Sequence, residues 1–163
     1  VGLLGHARDL AHRAVEEARH AIWRLRPAPL ERQSLAEALA AEVRSLEQGG
    51  AVEQSECTVQ GEPRPLTPEV EAAVFRIAQE ALANARKHAG SSAVVGIELA
   101  YAEDTLTVSV RDDGRGLPAS TTPGVGLTSM RERAAELGGT LTVERVEPHG
   151  TLVRARLPLG GDA

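Results

Sequence analysis

Aromatic side chains are nearly missing from this 163-residue chain, which holds one Phe, one Trp and one Tyr. Recognition of single-stranded nucleic acid by base stacking needs aromatic platforms, so that class of function is disfavoured. The net charge of −5 argues the same way, because a phosphate backbone is bound by an excess of Lys and Arg. The single cysteine, Cys57, cannot form an internal disulfide and fits a reducing cytosol, where it packs as a small apolar residue. No Cys/His cluster supports zinc. No apolar run approaches the length of a bilayer span, and no secretory leader precedes the first charged helical pattern. The chain opens on Val1 rather than Met, as expected of a piece of a longer protein. Neither a P-loop lysine motif nor a strand-linked G-x-G-x-x-G occurs, and no Ser-His-Asp or Cys-His arrangement stands out.

Hydrophobic residues make up 42% of the chain, enough for a sizeable core, which with so few aromatics must be aliphatic and alanine-rich. The length suits one domain with a further segment attached. Leu4, Ala7, Ala11, Ala14, Ala18, Ala21 and Leu25 recur at spacings of three and four, which predicts a helix over 3–26 with a seam for a partner helix. His6, His12 and His20 lie along it, and none is followed by an acidic residue that would orient it as a nucleophile. Pro27 and Pro29 end this helix. Ser34 and Glu37 form a capping box opening a second helix to about Gln48, which Gly49-Gly50 stops. A weak strand is expected over 52–60, and a domain boundary near 49–51. Thr67-Pro68-Glu69 starts a helix running to about Ala89, with Val74, Ile77, Ala78, Ala81, Leu82 and Ala85 buried. Strands are expected over 93–101 and, returning antiparallel, 105–112. A loop over 117–123, a helix from Gly124 to about Leu137 and a strand pair at 141–143 and 152–157 complete the pattern.

Four features carry chemistry. Glu80, Asn84, Lys87 and His88 share a helix face; a side-chain amide oxygen suits Mg2+, and Lys87 and His88 could reach phosphates. Asp112-Asp113-Gly114-Arg115-Gly116 ends a strand and admits two readings, a hairpin turn or a carboxylate placed to accept from an amino group. Gly124-Val125-Gly126 opens a helix, where N–H groups and the dipole favour an anion. Gly150-Thr151 is a turn that begins a strand. The 117–123 loop could close over a bound nucleotide.

In this order the motifs resemble the catalytic ATP-binding domain of sensor histidine kinases, within the gyrase–chaperone–kinase–mismatch-repair (GHKL) ATPases. Phe75 to Ala89 looks like the N-box, Asp112 to Gly116 like the G1 box, Gly124 to Arg133 like the G2 box, and Gly150-Thr151 like the closing Gly-Thr turn. The Lys87-His88-Ala89 ending, Met130 to Arg133, and Ala21 to Pro27 are similar to the nitrate-sensor/desaturase-sensor subgroup. The resemblance implies a two-layer α/β sandwich of the Bergerat type: a mixed, largely antiparallel sheet covered by helices. It implies a dimerisation segment over 1–48, an ATP-binding domain over 50–159 and a disordered tail over 160–163. It implies ATP and Mg2+ as cofactors, with Asn84 on the metal, Glu80 polarising the attacking group and Asp112 reading adenine. Gly114 and Gly116 would give the base room. Gly124, Gly126 and Leu127 would make lid and phosphate contacts, with Lys87 and His88 nearby. Thr151 would support Asp112. The family pattern leaves Asp113 as a replaceable neighbour.

The resemblance also implies a response regulator as partner, a homodimeric and membrane-anchored parent, and a cytoplasmic place for this part, touching neither membrane nor nucleic acid. One departure matters: no His-Asp/Glu phosphoacceptor motif occurs, so autophosphorylation in isolation is not expected. The alternative is a regulatory ATP-binding module of the same fold, such as an anti-sigma-factor serine kinase.

Overall fold

Ser34 sets the first helix. Its hydroxyl accepts from the Glu37 N–H at 3.3 Å while the Glu37 carboxylate accepts from the Ser34 N–H at 2.9 Å, so helix α1 spans Leu35–Gln48. The Ser34 hydroxyl also donates to the Glu37 carboxylate at 2.7 Å, and this bond, with the one from the Ser34 N–H, holds the carboxyl below its usual range. Thr67 caps helix α2 (Pro68–His88) in the same way, accepting from Val70 N–H, with Pro68 at the first position. Helix α3 (Val125–Glu136) begins at Gly124 with no side-chain cap. The chain is described by a computed structural model at Leu10, Ala14 and residues 26–116 and 124–160. The expected 3–26 helix, the 117–123 loop and the end of the tail lie outside these residues, except that Leu10 and Ala14 are helical and exposed.

Five strands form one sheet: β1 (Gln54–Gln60), β2 (Val94–Tyr101), β3 (Thr105–Asp112), β4 (Thr140–Arg145) and β5 (Thr151–Pro158). Their order is β1-β2-β3-β5-β4. Only β1 and β2 run parallel; the other pairs are antiparallel. The connection between the parallel strands is α2. Alternation places Val95, Ile97 and Leu99 of β2, Leu106, Val108 and Val110 of β3, and Val153, Ala155 and Leu157 of β5 on the inner face, all buried. The outer face is polar, with Glu98, Arg111, Arg154 and Arg156. The mixed, largely antiparallel sheet covered by helices is the expected fold.

One core runs under α1, α2 and α3. It includes Leu35, Leu39, Val43 and Leu46 of α1, and Val74, Phe75 and Ile77 of α2. The only Phe is fully buried. Helix α1 lies on β1 and β2, so one core holds residues from both sides of the expected boundary at 49–51. The described segment before α1 is also tied down. Leu30 is buried, and the Arg26 guanidinium bonds its carbonyl and the Glu71 carboxylate, both at 2.9 Å.

Candidate functional site

Asp112 is the last inward-facing position of β3, sharing the parity of Leu106, Val108 and Val110. The apolar core ends there and a cavity of about 370 Å³ begins. The carboxylate is 7% exposed. It accepts the Gly114 N–H at 3.0 Å and both the hydroxyl and the amide of Thr151, its cross-strand partner. Burial pushes the carboxyl above its usual range; the bonds from Gly114 and Thr151 pull it back, and the Asp113 charge adds to the rise. A carboxylate offers about four acceptor positions. Among the described residues Gly114 and Thr151 take three of these, and the carboxylate lies at the cavity wall, where a further donor could reach it.

Asp113 has the opposite parity and a different task. Its Oδ1 accepts the Val94 N–H at 2.7 Å, and its own N–H donates to the Val94 carbonyl at 3.3 Å. It therefore fastens the start of β2, a task the sequence reading of Asp113 did not include.

Helix α2 supplies the second wall. Ala81, Asn84, Ala85 and His88 line the cavity at i, i+3, i+4 and i+7. Glu80, on the adjoining stripe, reaches the start of α3: a β-carbon on Gly126 would overlap its Oε1. Lys87 is exposed and outside the cavity lining. The face read from sequence as one group is thus divided three ways.

The start of α3 supplies the third wall through Gly124, Gly126 and Leu127, and Gly116 and Thr151 complete it. The first N–H groups of α3 have no intrahelical acceptor and no side-chain cap, which makes this end receptive to an anion. Gly114 is outside the lining. A β-carbon there would collide with the Ala89 backbone, so this glycine makes room for the end of α2 rather than for a ligand. Gly116 has φ 74°, a left-handed conformation that only glycine adopts readily.

The structure adds lining residues that sequence reasoning missed: Arg131 of α3, and Val143, Glu144 and Arg145 of β4. Register gives the signal for the β4 residues, since Val143 pairs with Val153 and Arg145 with Thr151. It also separates the two arginines of α3. Arg131 lines the cavity. Arg133 is half-buried, its guanidinium pushed below the usual range by burial and by the charge of Arg76, against the pull of Glu136. Among the described residues no group of three His, Cys, Asp or Glu is placed to hold a metal by itself.

A cavity in an α/β sandwich that joins a buried carboxylate to a helix N-terminus suits a nucleotide, with a hydrogen-bond acceptor for a base and N–H groups for phosphates. Residues 69–161 match the family model described as histidine kinase-, DNA gyrase B- and HSP90-like ATPase. Over 146 residues the chain is 38% identical to the signal transduction histidine-protein kinase/phosphatase UhpB of Salmonella typhimurium, which is 88% of this chain and 28% of that protein. Over 152 residues it is 33% identical to the sensor histidine kinase LiaS of Bacillus subtilis, covering 92% of this chain and 41% of that one. Among solved structures it resembles the histidine kinase domain of the blue-light activated histidine kinase from Erythrobacter litoralis, with a TM-score of 0.65 and 26% identity over 77% of this chain and 65% of that chain. The chain belongs to the histidine kinase-, DNA gyrase B- and HSP90-like ATPase family, and its named relatives are sensor histidine kinases. It spans less than half the length of these two curated relatives. Among the described residues no helix is long and apolar enough to cross a membrane.

Proposed function

We propose that this chain carries the catalytic ATP-binding unit of a two-component sensor histidine kinase of the nitrate-sensor/desaturase-sensor kind. Its reaction is transfer of the ATP γ-phosphoryl group to a histidine on a dimerisation helix, for relay to a response-regulator aspartate. The observation that carries this reading is the convergence of Asp112, Thr151, Asn84, His88 and the α3 N-terminus on one cavity. The named relatives do not favour the anti-sigma-factor alternative.

In this reading the fourth acceptor position of Asp112 takes an N–H of the adenine amine, while Thr151 holds the carboxylate in place. Val110 and Val153, with Leu127, give the base an apolar bed. The triphosphate lies toward Gly124 and Gly126, where backbone N–H groups stabilise its charge without reorganising. His88 and the exposed Lys87 stand at this end. Mg2+ fits the donors present: Asn84 offers one hard oxygen, and this cation keeps waters and phosphate oxygens for the rest of its shell. When bound it neutralises charge on the phosphates. Glu80 polarises the attacking imidazole from its seat beside Gly126. Residues before Pro27 belong to the second dimerisation helix of a dimeric, membrane-anchored parent, and the ATP-binding unit works on the cytosolic side.

The test is calorimetric titration of ATP with and without Mg2+. Tight binding that depends on Mg2+ is expected, and Asn84→Ala should abolish that dependence; Mg2+ dependence persisting in the variant would sink the metal assignment. Adding a separately made dimerisation helix that carries its histidine should then yield phosphohistidine.

A further inference from the structure

The turn from β4 to β5 is tied to the Asp112 loop twice. One tie is the Asp112 carboxylate itself, which takes the Gly114 N–H on one side and the Thr151 amide and hydroxyl on the other. The second is His149. Its Nδ1 lies 2.6 Å from the Asp113 carbonyl and 3.1 Å from the Gly114 carbonyl. A carbonyl oxygen only accepts, so Nδ1 must carry the proton and donate to both. Backbone packing leaves little slack between the two segments. Gly150, at φ 126°, presses on Asp112 so closely that a β-carbon would collide with the Asp112 carbonyl. A β-carbon on Gly116 would lie 3.0 Å from the Gly150 carbonyl.

We propose that His149 is a positioning residue for nucleotide binding, holding the Asp113–Gly114 backbone so that the Asp112 carboxylate keeps one acceptor position aimed into the cavity. This rests on the ATP reading of the site. Without His149 the side-chain ties between the loop and β5 reduce to the carboxylate, beside the strand ladder, and its orientation is less independent of its ligand. The imidazole is exposed and adds nothing to the core, so its loss should be felt in binding more than in folding.

The experiment compares the full chain with its His149→Ala and His149→Asn variants by calorimetric titration of Mg-ATP, with thermal melts of all three. Asparagine restores a side-chain N–H donor. The alanine variant should bind about tenfold more weakly with little change in Tm, as expected when a donor fixing a ligand-reading loop is lost. The asparagine variant should recover most of that affinity. In nitrogen-15 spectra of the full chain the ring should be protonated at Nδ1. Unchanged affinity in the alanine variant, or equal losses in both variants, overturns the inference while leaving the nucleotide site intact. Failure of the unaltered chain to bind Mg-ATP overturns the nucleotide reading, and this inference with it.

Discussion

At the scale of single residues, the difference between Asp112 and Asp113 is one of parity. The two carboxylates are adjacent in sequence, ahead of Gly114. The strand alternation sends the first into the cavity and the second to the Val94 N–H. Asp112→Asn keeps one acceptor oxygen but removes the charge, so ATP affinity should fall at least tenfold while stability changes by about 1 kcal/mol or less. Calorimetry and thermal melts on one preparation check both, and unchanged affinity would end the adenine assignment. The pH dependence has a definite sign. Burial raises the Asp112 carboxyl above its ordinary value, so the folded state holds this proton more tightly than the unfolded chain. Its contribution to stability is fully present below the unfolded value and is lost as pH rises through the raised folded value. Between pH 7 and pH 4 the wild-type chain should gain stability relative to Asp112→Asn as pH falls. ATP binding should move the opposite way, weakening as the carboxylate protonates.

At the scale of elements, the site depends on how α2 meets α3. Glu80 can lie against the start of α3 only because residue 126 has no β-carbon. The overlapping atom in Gly126→Ala is the end of a flexible side chain, so Glu80 should swing aside and the fold should survive. Phosphoryl transfer to an added acceptor helix should drop to the level of Glu80→Gln, with stability changed by no more than about 1 kcal/mol in thermal melts. Full activity in Gly126→Ala would show that this seat of Glu80 is not required. Much of the element plan was legible in the sequence. Capping residues Ser34 and Thr67 set the helix starts, the 3.6-residue stripe of α2 gave its buried face, and alternation in 105–112 gave β3. The division of Glu80, Asn84 and Lys87 among three environments was not legible. Helical spacing gives the direction of a side chain within about one residue, and the neighbour that decides its contacts comes from a distant part of the chain. The β4 lining residues were hidden for the same reason, because they reach the cavity by pairing with β5.

At the scale of the whole molecule, the open question is where the folding unit begins. The glycine pair at 49–50 reads in sequence as a helix stop with a domain boundary beside it, but Gly-Gly ends a helix whether or not a new domain follows. The structure instead lays α1 on β1 and β2, with Leu35, Leu39, Val43 and Leu46 inside the common core. Burying these four side chains contributes roughly 8 kcal/mol at about 2 each. That is comparable with the net stability of about 5–15 kcal/mol typical of a domain. Glu47 adds a polar tie, accepting from the Ser55 N–H at 2.9 Å and its hydroxyl at 2.7 Å. A fragment starting at residue 50 should therefore lose the cooperative thermal transition and bind a hydrophobic dye, because the sheet under α1 is laid open. A fragment starting at Pro27 keeps Leu30 and all of α1, and should melt cooperatively and bind Mg-ATP as the full chain does. Both can be compared by calorimetry at equal concentration. A cooperative melt from the shorter fragment would place the boundary back at Gly49-Gly50 and make α1 an accessory to the sheet.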